Sequence, residues 1–197
     1  MRKVLVSLAI LSTLAAGSSA SRLLADPVPH KAGAVALSPQ NTLIQFVCAH
    51  VGPKPDPRTG HFGKFNGQAQ LDPASKSLRS VNVEIDTNSI TTQFDKLTNH
   101  LKSPDFFEAR QYPTAKFEST KITPGQDGKS QITGKLTLHG VTKEISFPAT
   151  VAVSESGMTL SSNFSIDRTH FGMNFGPDQV EKKVDLKIAI GEKTPTK

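Results

Sequence analysis

The chain has 197 residues, 23 Lys and Arg against 17 Asp and Glu, a formal charge of +6, a single Cys, a single Tyr and no Trp. This length suits one domain with an appendage. One Cys excludes an intramolecular disulfide, and basic side chains that are scattered rather than interleaved with aromatics argue against nucleic-acid binding.

The N-terminus reads as the appendage. Arg2 and Lys3 precede an apolar run, Val4 to Ala16, and Ser18-Ser19-Ala20 fits a small-x-small cleavage pattern. Residues 1–20 are therefore expected to be a secretory signal peptide, which places the protein in the periplasm or outside the cell. Leu23-Leu24-Ala25 offers a second cleavage choice. The rival reading, an uncleaved anchor, requires a longer apolar run, and no second such run follows, so no stable membrane span is expected. Cleavage after residue 20 removes Arg2 and Lys3 and no acid, taking the charge from +6 to +4. No Cys lies near the cleavage point to carry a lipid. Residues 21–37 lack any period and read as a flexible arm.

Residues 38–191 read as one β domain, followed by a tail over 192–197. Ile44, Phe46 and Cys48 share one face of a strand, which makes Cys48 a buried apolar residue. In "GPKPDPRTG", Gly52 to Gly60, three prolines predict a loop. Alternation resumes in Phe65, Gly67, Ala69, Leu71, then in Val81, Val83, Ile85. It returns in Phe117, Ser119, in Ile132, Gly134, Leu136, Leu138, and in Ile145, Phe147, Ala149, Val151, Val153. Met158, Leu160, Ser162, Phe164, Ile166 and finally Val184, Leu186, Ile188, Ile190 complete the set. Period-two alternation with a polar second face marks half-exposed strands. His139-Gly140, Pro124 to Gly128 and Glu155 to Gly157 predict hairpins, and Asp72-Pro73 another turn. The count is about eight strands, at the spacing of an antiparallel barrel or sandwich.

One insertion, about 92–109, breaks the alternation. Phe94, Leu97 and Leu101 recur at helical spacing, with Thr92 as the expected cap and Asp95 three residues on. Ser103-Pro104-Asp105 predicts a second helical turn. Phe106 and Phe107 follow, before Tyr112-Pro113 returns the chain to a strand.

Catalytic patterns are sparse. His30, His50, His61, His100, His139 and His170 show no close metal-ligand spacing. His50 and His61 flank the proline loop, and with Cys48 they form the enzyme alternative, metal-assisted and without any other supporting motif: there is no Gly-rich phosphate loop and no G-x-S-x-G. The aromatics instead are eleven Phe, most sharing inner faces with small residues. An eight-stranded barrel is just wide enough to be filled by side chains or to hold one small ligand, and the patterning leaves both open.

The stretches "HLKSPDFFEARQYPTAKFEST", "GKLTLHGVTKEISFPATV" and "FSIDRTHFGMNF", with "GHFGKFNG" and "VEIDTNSITT" in order before them, resemble the YceI-like family of exported polyisoprenoid-binding proteins over roughly Leu43 to Ile190. The resemblance implies an all-β fold, an eight-stranded antiparallel lipocalin-like barrel with a short helical insertion. It implies a long apolar pocket for an isoprenoid lipid or quinone, of the respiratory-quinone or polyprenyl-phosphate type, and a binding or carrier role without catalysis. The pocket is then expected to be lined by Phe46, Phe65, Ala69, Val83, Leu97, Leu101, Phe106, Phe107, Phe117, Leu136, Phe147, Phe164, Phe171 and Met173. Arg168, Lys102 and His100 are the head-group candidates, with Arg168 equally suited to pairing with Asp105 or Asp167. No metal and no cofactor other than the lipid is expected, and a homodimer is compatible with the reading. At about 25 cal/mol per Å², burying a tail of several isoprene units yields on the order of 10 kcal/mol before association costs. The insertion "VGPKPDPRTG" departs from the commoner family pattern and is expected to reshape one barrel mouth. The rival without a ligand is an exported stress-related or structural barrel with a closed core.

Overall fold

The structure is a computed structural model and describes residues 33–52, 54, 56–154 and 157–191. The expected signal peptide, most of the expected arm and the tail lie outside the described residues. Eleven strands form one antiparallel sheet. They are β1 (Ala34–Leu37), β2 (Thr42–Ala49), β3 (Pro57–Phe62), β4 (Phe65–Asp72), β5 (Ser77–Asp86) and β6 (Ile90–Thr92), then β7 (Thr114–Pro124), β8 (Lys129–Leu138), β9 (Val141–Ser154), β10 (Gly157–Asp167) and β11 (Lys183–Ile190). One short helix, α1 (Asp95–Lys102), lies between β6 and β7. The strand order is β1-β4-β5-β7-β8-β9-β10-β11-β2-β3-β6. The sheet curls into a half-barrel, and its two flanks are tied together because β3 runs into β4 through Gly63 and Lys64 alone.

The eleven strands replace the eight expected, for a physical reason. Three stretches of chain each change neighbours at a bend. β1 and β2 are separated by a turn in which the Asn41 side chain accepts from the Ser38 N–H at 3.0 Å. β3 and β4 break at Gly63-Lys64, and β5 and β6 at a 3₁₀ turn over Thr87–Ser89, capped by the Asp86 carboxylate. Alternation reports which face a residue takes but not which strand lies beside it.

Two local expectations are corrected. The end of the supposed arm, Ala34–Leu37, is a strand: Val35 pairs with Ala69 and is fully buried. The proline-rich stretch is not a loop throughout, because β3 starts at Pro57, opposite Ala49. Pro57 takes the first position of the strand, where its missing N–H is tolerated. Gly60 in β3 faces the Phe46 ring, and a Cβ there would stand 2.2 Å from the ring's Cζ.

The helix also differs in detail. Its N-cap is Phe94, without a side-chain cap, while Thr92 belongs to β6. The Thr92 hydroxyl is used nearby, donating to the Phe94 carbonyl at 2.9 Å. Phe94 itself is 49% exposed, under the Arg58 guanidinium at 4.9 Å from its ring centre. Ser103 caps the C-terminus of α1, and Ser103 to Phe107 form hydrogen-bonded turns instead of a second helix.

The His139-Gly140 hairpin matches its expectation. Leu138 pairs with Val141, and the two turn residues have φ of 49° and 73°. Two left-handed residues match the sheet's twist. A Cβ on Gly140 would also meet Tyr112 Cε1 at 2.6 Å. Gly140→Ala is therefore expected to destabilise the fold by about 1–2 kcal/mol from the left-handed backbone alone, with the ring contact adding to it. A urea titration should show a lower midpoint at unchanged slope.

The interior holds two apolar clusters. One joins Val35, Leu71, Val81, Ile132, Phe147, Met158 and Ile190; the other joins Phe46, Phe62, Phe65, Leu101, Phe106, Leu136 and Phe171 beneath the α1 segment.

Candidate functional site

Between these clusters lies an apolar cavity of about 180 Å³. The inward faces of the strands wall it, and Leu101, Phe106 and Phe107 close it from the α1 segment. α1 reaches the cavity because Leu101 is its buried face, and the following turn is pinned by Phe107 N–H donating to the Leu101 carbonyl at 3.0 Å. Ten of the fourteen expected side chains line it: Phe46, Val83, Leu101, Phe106, Phe107, Phe117, Leu136, Phe147, Phe164 and Met173.

Four do not. Ala69 is buried in the packed cluster beside its β1 pair partner Val35, away from the cavity lining. Phe65 and Phe171 are buried in the packed cluster behind the cavity wall. Leu97 faces outward, into a second depression described below. The sequence reading also omitted Ile44, Val81, Ile85 and several β8 to β11 residues, which share strand parity with residues it named. Phe62 was omitted because the prolines assigned its neighbourhood to a loop. Ala115 was omitted because nothing in a lone Ala signals a wall.

The far end of the cavity is filled by rings. Phe147 stacks on Phe164 at 4.2 Å between centroids, and Phe117 leans on Phe147 at 5.5 Å. The near end opens differently. A groove of about 670 Å³, lined by His50, Arg58, Phe94, Lys96, Leu97, His100, Phe175 and Val180, lies outside α1. Phe46, Cys48, Leu101 and Phe106 line both spaces, and this shared boundary is the neck between them. Edge-on contacts brace the neck, with His100 at 5.0 Å from Phe106 and 4.8 Å from Phe175.

The three head-group candidates separate. Lys102 borders neither space. His100 borders the groove, and its Nε2 lies 2.8 Å from an Asp105 carboxylate oxygen. Arg168 lines the cavity and is 2% exposed. Neither expected acid pairs with it: Asp105 is taken by His100, and Asp167 accepts from the N–H and hydroxyl of Thr169, which lowers its pKa. Arg168 donates instead to backbone carbonyls, from Nε to Glu181 at 3.0 Å, from Nη2 to Val180 at 2.9 Å and from Nη1 to Met173.

Of the enzyme alternative, Cys48 and His50 border the same groove and His61 does not. His61 stands opposite Gln45 in the sheet and shares a 3.0 Å hydrogen bond with Thr91, whereas His50 follows the end of β2, five residues along. Cys48 is half-buried rather than buried, with Sγ 3.5 Å from the Glu181 carbonyl. Among the described residues no three His, Cys, Asp or Glu are grouped as a metal site. Burial raises the Cys48 thiol above its usual value, and the nearby Arg168 cation only partly offsets this. Because the thiolate is the nucleophile, Cys48 is expected to react with iodoacetamide at neutral pH more slowly than a free cysteine peptide, and to reach the peptide rate in denaturant. Mass spectrometry of timed samples reads both rates.

A family model described as the YceI-like domain matches residues 36–191. The chain belongs to the YceI-like family. A relative named UPF0312 protein, from Pseudomonas savastanoi pv. phaseolicola, is 33% identical over 96% of both chains. Another of that name, from Shewanella denitrificans, is 33% identical over 74% of this chain and 79% of its own. Among solved structures, Burkholderia cenocepacia BcnA is 28% identical with a TM-score of 0.68, covering 76% of this chain and 94% of its own. A Saccharophagus degradans domain described as polyisoprenoid binding shares the fold at 16% identity and a TM-score of 0.61, covering 79% of this YceI-like chain and 95% of its own. No helix among the described residues is long and apolar enough to cross a membrane.

Proposed function

We propose that this protein is a non-catalytic binder or carrier of an isoprenoid amphiphile, of the quinone or polyprenyl-phosphate type, acting in the periplasm or outside the cell after loss of residues 1–20. The observation that carries the reading is an apolar cavity that shares four lining residues with an open groove beside α1. The Saccharophagus domain of the same fold supports the ligand class. The signal-peptide pattern expected over residues 1–20 supports the location.

The cavity sets a scale for the guest. An apolar cavity of about 150 Å³ takes one benzene, so 180 Å³ takes a terminal isoprene portion and not a whole long tail. The remainder of a tail runs through the neck into the groove. Purified from its own host, the protein is expected to release an isoprenoid lipid on organic extraction. Native mass spectrometry should show the same adduct and reads at once whether the protein is a homodimer. An empty protein that takes up neither quinone nor polyprenol would overturn the proposal. That result would favour the closed-core reading, which the Phe117–Phe147–Phe164 cluster supports. Mass analysis of the mature N-terminus in fractionated cells checks the location.

A further inference from the structure

We propose that His139 and Glu108 form a proton-operated latch on the segment that closes the cavity. This adds a control of closure to the lipid-binding reading without depending on it. His139 Nδ1 lies 3.2 Å from the Phe171 carbonyl oxygen. A carbonyl only accepts, so Nδ1 carries a hydrogen, and Nε2 of the neutral ring carries none. Among the described residues, Nε2 is the one buried side-chain nitrogen or oxygen without a hydrogen-bond partner. A second acceptor stands across from it, with Glu108 Oε2 at 3.5 Å. That separation suits an ion pair but is too long for a hydrogen bond. Two acceptors therefore face one ring, and a second ring proton satisfies both. Histidine is the side chain that ordinarily gains such a proton near pH 6.5.

The surroundings are shaped around this ring. Glu108 and His139 have φ of 43° and 49°, a left-handed backbone that a non-glycine residue keeps only where its neighbours hold it. Tyr112 packs edge-on against His139 at 4.6 Å between centroids, and a Cβ on Gly172 would stand 3.2 Å from Nδ1. Three elements thus meet at His139: the β8–β9 hairpin, the 3₁₀ turn Arg168–Phe171 and the turn that follows α1. The last of these carries Phe106 and Phe107 into the cavity wall immediately before Glu108. Glu108 also anchors that turn through its backbone, donating to Ser103 and accepting from Gln111 and Tyr112, each at 2.9 Å.

The other titratable groups on these elements are engaged elsewhere. The Tyr112 hydroxyl accepts from Gln111 at 2.8 Å, His170 faces Asp167 at 3.9 Å, and Arg168 is held by three backbone carbonyls. Arg110 and Lys143 are exposed. His100 and Asp105, 2.8 Å apart on the same segment, form a second and more exposed pair. Below the ordinary histidine range the doubly protonated His139 bridges Phe171 and Glu108 and holds the turn. As pH rises through that range the Nε2 proton leaves, a lone pair faces the carboxylate, and the turn loosens.

Amide hydrogen exchange of the full chain, at about pH 5 and about pH 8 on either side of the histidine range, tests the latch once intrinsic rates are corrected for. The N–H groups of Phe107, Glu108 and Ala109 bond within the turn. Their protection should be about tenfold higher in acid, the scale of one hydrogen bond to a charged group. Glu108→Gln keeps the size, removes the charge and should erase the difference, whereas His100→Gln should leave it. His139→Asn, which tolerates the left-handed backbone, should erase it too; if it does not fold, Glu108→Gln decides. Equal protection at both pH values in the wild type, or a difference that survives in Glu108→Gln, would overturn the proposal. Release of N-phenylnaphthylamine, an apolar dye uncharged at both pH values, should be slower in acid. Release that ignores pH while the turn responds would overturn the role in closure. A dye that does not bind, with the exchange difference intact, supports the latch and counts against the binding reading.

Discussion

Phe147→Ala is expected to weaken the fold by about 3–5 kcal/mol, the cost of emptying a buried Phe site, and to increase the size of the tail the protein accepts. Phe147 is 6% exposed, stacks on Phe164 at 4.2 Å and touches Phe117 at 5.5 Å. Aromatic pairing contributes about 0.5–1.5 kcal/mol beyond burial, so the loss should fall in the upper part of that range. A domain typically holds only about 5–15 kcal/mol in total, so the variant needs to be studied at low temperature. The two effects run in opposite directions because the ring plugs the far end of the cavity. Removing it converts packed volume into space contiguous with the ligand site. Denaturation reads the first effect, and uptake of a chain-length series of polyprenols reads the second. A destabilised variant with an unchanged length preference would show that the plug is separate from the binding space.

Ala115→Phe should do the reverse: abolish tail uptake while the fold survives. Ala115 is fully buried on β7, beside its pair partner Ile85 of β5, and lines the cavity. A ring there occupies much of the roughly 180 Å³ available. Overpacking costs about 1–3 kcal/mol, less than the total stability, since the added ring enters open space. Loss of uptake with a native circular dichroism spectrum is the expected result. Full uptake by the folded variant would place the ligand elsewhere, and the outer groove would then be the first place to examine.

Much of the wall was legible before any coordinates. Phe46, Val83, Phe117, Leu136, Phe147 and Phe164 were chosen by strand parity, and all line the cavity. Parity is local, since the Cβ of successive strand residues alternates whatever the partner. Position along the axis is not local. Ala69 has the right parity yet is packed into the core beside Val35, from a stretch whose composition reads as an arm. Phe62 has the right parity too, but its prolines mask a strand that begins at Pro57. Cys48 sits at the neck, so its burial is partial, which no inner-face assignment conveys.

The small residues mark the deepest difference. Gly and Ala among inner-face Phe suggest room for a guest, but much of that room is used by the neighbours. A Cβ on Gly60 would stand 2.2 Å from the Phe46 ring, and one on Gly134 would stand 2.6 Å from the Phe117 ring. The glycines let rings lie flat across adjacent strands, which keeps the cavity near 180 Å³.

From sequence alone came the β class, the tight His139-Gly140 turn, the family and the inward face of most strands, because each depends on short-range periodicity or on ordered blocks of residues. The tertiary structure decided the eleven-strand sheet, the neck between cavity and groove, and the isolation of the Arg168 cation from Asp105 and Asp167. These depend on which distant segments meet, and long-range packing leaves no periodic trace in a single chain.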